Sequence, residues 1–290
     1  MEEITIGTEE WLSQVQEEIV DPNRKIIDPH HHLWDDRGST YLVEELKSDT
    51  GSGHNIVKTV FMECGWSYKK DGPKHLKVVG ETEAVVEQAN KSKETEGAII
   101  SAIVSRADLR LGEEVIEVLE AHQEVSQGLF RGIRHAGARA EHPEVLTIPG
   151  GAPEGLFQDP NFLTGLKVLG KNGYTYDTWH YHYQNREFAE MVKKVPDTQI
   201  ILDHFGTPLG VGPYADKREE IFEQWKKDIK EISKSKNVFI KIGGMAMPDN
   251  GFGWNNREKP ATSDEFVEAQ RRYYLHAIDC FSPERCMMES

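Results

Sequence analysis

Short apolar runs rich in β-branched residues recur along the chain, separated by longer stretches whose apolar positions repeat at helical spacing. The short runs fall at residues 25–29, 57–63, 97–104, 128–134, 173–179, 198–203, 238–242 and 285–289. They are apolar through most of their length, as parallel strands covered on both faces should be. The amphipathic stretches predict helices over 78–94, 113–123, 161–171, 185–194, 218–233 and 263–281. Strands alternating with helices in this way predict an α/β fold, a (β/α)8 TIM barrel in preference to a doubly wound sheet, which pattern alone leaves open. The length of 290 residues suits one such barrel.

Three segments depart from the regular pattern. Residues 135–160 form a long loop containing Gly and Pro after the fourth strand, which reads as an active-site loop. Residues 1–24 read as an acidic, amphipathic N-terminal extension ahead of a barrel domain over 25–290. No eighth helix follows the eighth strand run. The expectation is therefore a barrel truncated after strand eight, a fragment of a longer chain, and less stable than a version extended through that helix.

Catalytic groups of a β/α barrel sit at the C-terminal ends of its strands, and the polar residues of this sequence collect there. Strand one ends in His30-His31-His32, strand two in Glu63-Cys64-Gly65-Trp66, and strand four in Arg134-His135. Strand five runs into His180 and His182, strand six into Asp203-His204, and strand seven into Lys241. Because residues two apart in a strand share a face, His30 and His32 project together while His31 points away. Such a pair can share a cation, with Asp28 beneath it to orient a ring. The alternative for an isolated HxH is three histidines in a polar turn; the further strand-end histidines favour the metal or catalytic reading.

His182 is the natural third ligand, although His180 shares its parity. His204 suits a ligand, a substrate donor or a general acid/base, against a plain structural histidine. Asp203 should face the other way and serve as a supporting carboxylate. Arg131 and Arg134 in FRGIRH form a candidate clamp on a substrate carboxylate, Arg134 being nearer the strand end. Glu63, Trp34, Trp66 and Tyr68 either wall the pocket or cover the barrel mouth.

Composition narrows the partners. The chain carries 49 acidic and 34 basic residues, a net charge of −15, with no basic block. Nucleic acid and anionic membrane surfaces are poor partners for it, while a locally basic pocket can still take an anionic small molecule. No run approaches the roughly 18 apolar residues of a membrane span, and the N-terminus lacks the form of a signal peptide. The 3 cysteines show no paired spacing, which points to a reducing, cytoplasmic setting and leaves His and carboxylates as the metal ligands. A homo-oligomer stays open. Neither a Walker pattern nor a GxSxG elbow is present, and Gly243-Gly244 and Gly150-Gly151 are not phosphate loops.

Taken in order, DPHHHLWD, FMECGW, FRGIRHAG, YDTWHYHYQ, ILDHFGTPLGVGPY, VFIKIGGM and ERCMMES resemble the amidohydrolase superfamily. The resemblance covers about residues 25–290 and is strongest to its lactonase-like branch, the sugar-acid lactonases and 2-pyrone-4,6-dicarboxylate lactonase. It implies a distorted barrel with a divalent metal, zinc as first choice, on His30, His32 and His182, though the branch includes metal-independent members. It further implies catalytic roles for His204, His182 and Arg134, substrate contacts from Arg131 and Arg134, and a strand-eight Asp, or an Asn in its place, one position past Ser290; Glu63 and Trp66 join the substrate contacts by their strand-end positions. The function it implies is a hydrolase opening the lactone of a small carboxylic or sugar acid with metal-activated water. A non-oxidative decarboxylase of an aromatic or muconate-type acid is the alternative on the same site, and an inactive ligand-binding relative the second.

Overall fold

In the computed structural model, residues 5–289 are described. Eight parallel strands follow one another in sequence order, β1 (Ile26–His31), β2 (Ile56–Met62), β3 (Ile99–Arg106), β4 (Phe130–Arg134), β5 (Thr175–Thr178), β6 (Ile200–Leu202), β7 (Val238–Ile242) and β8 (Cys286–Met288). Each strand pairs with the next, from β1–β2 through β7–β8. A short helix, α1 (Glu9–Leu12), precedes the barrel. Seven more fill the connections: α2 (Val43–Thr50), α3 (Val79–Ser92), α4 (Val115–Val125), α5 (Pro160–Lys171), α6 (Asn185–Lys193), α7 (Arg218–Ile232) and α8 (Ser263–Phe281). The fold is a nearly closed (β/α)8 barrel. Among the described residues no helix follows β8, and Ile27 and Met288 on the first and last strands are exposed.

One helix of the barrel itself lies outside the stretches that the periodicity marks. Helix α2 buries only Val43, Leu46 and Thr50 in eight residues, a stripe too short to stand out from a polar loop. Strands β5 and β6 are shorter than their apolar runs because each run continues into the polar strand end. The main core lies between strands and helices, with Tyr176, Ile200, Leu202, Val238 and Ile240 packed against Phe162, Phe188, Trp225 and Ile229. Since Tyr176 and Ile240 face the helices, strand alternation turns their neighbours Asp177 and Lys241 towards the barrel axis.

The N-terminal segment is tied to the barrel. Trp11 is buried and its indole N–H donates to the Arg257 carbonyl oxygen, 3.1 Å. The Glu17 carboxylate accepts the backbone N–H and the hydroxyl of Ser263, the first residue of α8, which supplies negative charge at a helix start. Residues 135–160 are likewise held. The Tyr181 hydroxyl donates to the Ile148 oxygen and accepts from the Gly150 N–H, while the Asp249 carboxylate accepts from Thr147 and Ile148. No helix among the described residues is long and apolar enough to cross a membrane.

Candidate active site

The ends of β1, β4, β6, β7 and β8 bring their polar side chains to one place. His30 Nδ1 stands 2.6 Å from Glu289 Oε1, and His204 Nδ1 donates to Glu289 Oε2 at 2.8 Å. On the other side of His30, its Nε2 lies 3.2 Å from Nε2 of His32, the rings meeting edge to face. The His32 Nδ1–H donates to the Met62 carbonyl oxygen, 2.8 Å. That bond fixes its tautomer and leaves the lone pair on Nε2, the usual way a histidine is prepared for a cation.

His30 cannot satisfy all its neighbours with one proton. Burial first, then the positive Lys241 and the other charges around it, holds its pKa well below the ordinary histidine value, so the ring is neutral. Lys241 Nζ lies 3.3 Å from Nδ1, and Arg134 Nη1 lies 3.4 Å from Nε2. A single ring proton serves either the Glu289 side or the His32 side, and the other contact is left as two lone pairs face to face. In keeping with this, Glu289 is buried and its Oε1 makes no hydrogen bond despite the close His30 nitrogen.

The side chains linked by these contacts include four carboxylates, Glu63, Asp177, Asp203 and Glu289, and two cations, Lys241 and Arg134. They carry two more negative charges than positive ones in a largely water-free setting, where unpaired charge is costly. His30, His204 and Glu289 each offer one ligand atom within 4.8 Å of the others. Two imidazoles and a carboxylate are a donor set suited to a catalytic divalent ion with an open position, and a charge of +2 balances the excess. The residues fit such a group.

Local backbone chemistry makes the room. His204, Phe205, Gly206 and Thr207 all have positive φ, between 38° and 65°, so the chain after β6 turns back sharply at a strain of about 1–3 kcal/mol for each residue other than Gly. Gly243 and Gly244 let β7 pass close beneath. A Cβ on Gly243 would meet the Glu289 backbone oxygen at 2.3 Å, and one on Gly244 would meet His204 Nδ1 at 2.4 Å.

The structure brings His30, His32, His204, Glu63 and Arg134 together. Arg134 is anchored by donating through Nε to Glu63 Oε1, 2.9 Å, and through Nη2 to the Glu63 carbonyl oxygen. Glu63 is held in turn by the turn that follows it, where the Glu81 carboxylate accepts the N–H groups of Cys64 and Trp66. Burial, with Glu63 nearby, pushes Glu81 up to about 7. His31 turns out of the barrel interior and packs edge-on against Phe61.

Three expected site residues are placed elsewhere. Arg131 is exposed near the start of β4, its guanidinium donating to the carbonyl oxygens of Gly128 and Phe130; this is the end of the barrel away from the site, so it does not join the clamp. His182 accepts the Leu209 N–H on Nδ1 and packs against Tyr183 and Tyr214. With that lone pair used and the ring proton on Nε2, it does not join the three ligand-bearing residues. Trp66 is buried and its indole donates to Asp35, 2.7 Å. His180 is fully buried and bonded to Asn185.

Sequence reading missed Glu289, Asp177 and a role for Lys241. Glu289 ends the eighth apolar run, so the strand-end rule applied there marks it. The family resemblance points to the position beyond it instead. Asp177 lies inside a strand run and carries no such mark.

Comparison with known proteins gives the family. The chain belongs to the amidohydrolase family, since the Amidohydro_2 (amidohydrolase) family matches residues 27–290. It is similar to the L-rhamnono-gamma-lactonase of Scheffersomyces stipitis, 24% identical over 92% of this chain and 84% of that protein. It is also similar to the L-fucono-1,5-lactonase of Burkholderia multivorans, 21% identical over 91% of this chain and 80% of that protein. The fold is shared with a solved amidohydrolase from Burkholderia multivorans with bound zinc, at a TM-score of 0.68 and 19% identity over 92% of this chain and 84% of that one.

Proposed function

We propose that this protein is a metal-dependent hydrolase that opens the lactone of a small sugar acid or carboxylic acid. The observation that carries the reading is the convergence of His30, His204 and Glu289 beside Arg134 at the barrel mouth, short of positive charge. The lactonase names of its two relatives supply the substrate class. His30, His204 and Glu289 would hold a divalent ion, with zinc favoured by the two imidazoles and one carboxylate. The ion's contribution is Lewis-acid polarisation of the lactone carbonyl and a lowered pKa for the attacking water.

The chain's own groups do the rest. Glu289 Oε1, which lacks a hydrogen bond, takes the proton of the attacking water and returns it to the ring oxygen as the C–O bond breaks. His204, whose Nδ1 lies 2.8 Å from Glu289 Oε2, is held at the ligand cluster by that contact. Arg134, fixed in place by Glu63, presents its guanidinium to a carboxylate or hydroxyl of the substrate. Its anchoring on two Glu63 oxygens means little ordering is lost on binding.

The test is ring opening of an aldono-γ- and δ-lactone panel by the purified protein and by Glu289→Gln. The expected result is turnover by the wild type and a loss on the order of 10²–10⁴-fold in the variant, the usual worth of a placed acid/base group. A folded Glu289→Gln protein with wild-type turnover removes Glu289 from the reaction. Release of CO2 from an aromatic acid, with no lactone opened, moves the site to decarboxylation.

A further inference from the structure

Lys241 lies in the barrel interior, unused by the proposed reaction, and touches three ligand-type atoms. Its Nζ lies 3.0 Å from Asp177 Oδ1, 2.9 Å from Asp203 Oδ1 and 3.3 Å from His30 Nδ1. These partners come from β5, the end of β6 and β1, and the lysine from β7, so four strands aim at one point. Lys241, Asp177 and Asp203 are all buried, Asp203 completely. The Lys241 ammonium pairs with Asp203 Oδ1 at 2.9 Å, and Asp203 Oδ2 makes no hydrogen bond. A fully buried carboxylate oxygen in this condition is unusual, and a cation is a suitable neighbour for it. A flexible ammonium stem of this kind is a point charge without a preferred fork, able to sit where an ion would.

We infer that the Lys241 ammonium fills a second cation position, built by Asp177 and Asp203 beside His30, and thereby restricts the site to a single divalent ion. The inference rests on the metal reading of the adjoining His30, His204 and Glu289 group. The lysine neutralises carboxylates that would otherwise compete as ligands, and it leaves the two excess negative charges for one ion. Removing the ammonium while keeping an apolar stem of similar length, as in Lys241→Met, opens the position and raises the excess negative charge by one.

The experiment is metal counting by elemental analysis after zinc loading and desalting, on the full chain and on Lys241→Met, with thermal melts across a zinc series. The expected result is one zinc per wild-type chain and one more in Lys241→Met. A folded Lys241→Met protein that holds the same number as the wild type overturns the inference, whereas a merely structural lysine moves the melting temperature and not the count. Where Lys241→Met is unfolded without metal, the expected result is recovery of a cooperative melt on adding zinc. Failure of zinc to restore it overturns the inference as well. A wild type that holds no zinc defeats the metal reading of the His30 group, while the increment between wild type and variant still decides the role of Lys241.

Discussion

Gly244 offers a perturbation whose two costs can be separated. A Cβ at this position would stand 2.4 Å from Nδ1 and 2.9 Å from Cγ of His204, on a backbone with φ of +74°. Gly244→Ala therefore adds left-handed strain and drives the imidazole away from Glu289. Gly173 has the same φ of +74° with nothing within 4 Å, and it lies in the turn before β5, at the other end of the barrel. Gly173→Ala carries the strain alone, about 1–2 kcal/mol. For a chain of this size each kcal/mol moves Tm by roughly 2–4 °C, so the control should melt about 2–8 °C lower with zinc affinity unchanged. Gly244→Ala should melt at least as low and also bind zinc more weakly, by on the order of 10–100-fold, as when a ligand loses its support. The assay is a pair of thermal melts with zinc titration by competition against a chromophoric chelator. If the two variants match in both Tm and zinc affinity, bare backbone at 244 is not what positions His204.

Further outcomes follow from buried pairs elsewhere. Arg134→Ala leaves the Glu63 carboxylate, paired at 2.9 Å and largely buried, without its partner, and should cost about 3–5 kcal/mol in chemical denaturation. The double variant Arg134→Met with Glu63→Met should recover much of that stability but none of the lactone turnover; equal loss in both variants contradicts a paired charge. His122 is fully buried between the Thr82 hydroxyl and the Arg106 carbonyl oxygen, and burial lowers its pKa from 6.5 to about 4. A folded pKa below the unfolded one means this contribution is present above pH 6.5 and is lost as pH falls towards 4. Denaturation midpoints should drop across that window, and less steeply in His122→Gln; a slope unchanged by the substitution assigns the acid lability to other groups. Glu17→Ala should lower stability by about 0.5–2 kcal/mol through loss of an α8 start contact, and no change in the melt would show that the N-terminal segment does not brace that helix.

The barrel was legible because its strands are apolar on both faces and its longer helices carry wide apolar stripes. Helix α2 was not, since three buried positions in eight residues give no period to detect. In the site, parity picked out His30 and His32 because it depends only on strand geometry, and the strand-end rule reached His204 and Arg134. The same rule favours Arg134 over Arg131 but leaves both in the candidate clamp. Three residues apart on one short strand, they lie at opposite ends of the barrel, and only the arrangement of neighbouring oxygens at Gly128 and Glu63 separates them. His182 has suitable parity, but the Leu209 N–H occupies its nitrogen, a contact made by a loop after a different strand. The strand-end rule reaches Lys241, but Asp177 reads as an ordinary strand residue. Their pairing joins β5 to β7 across the interior of the barrel, a contact between positions 64 residues apart that no local pattern encodes.

The central claim, that an ion held by His30, His204 and Glu289 drives lactone opening, meets its most direct test in one titration. The rate of ring opening on the most reactive lactone of the panel is followed as a chelator strips the protein and zinc is then returned in steps. The account requires the rate to fall to the uncatalysed level in chelator and to return fully at one zinc per chain. An undiminished rate in the metal-free protein contradicts it.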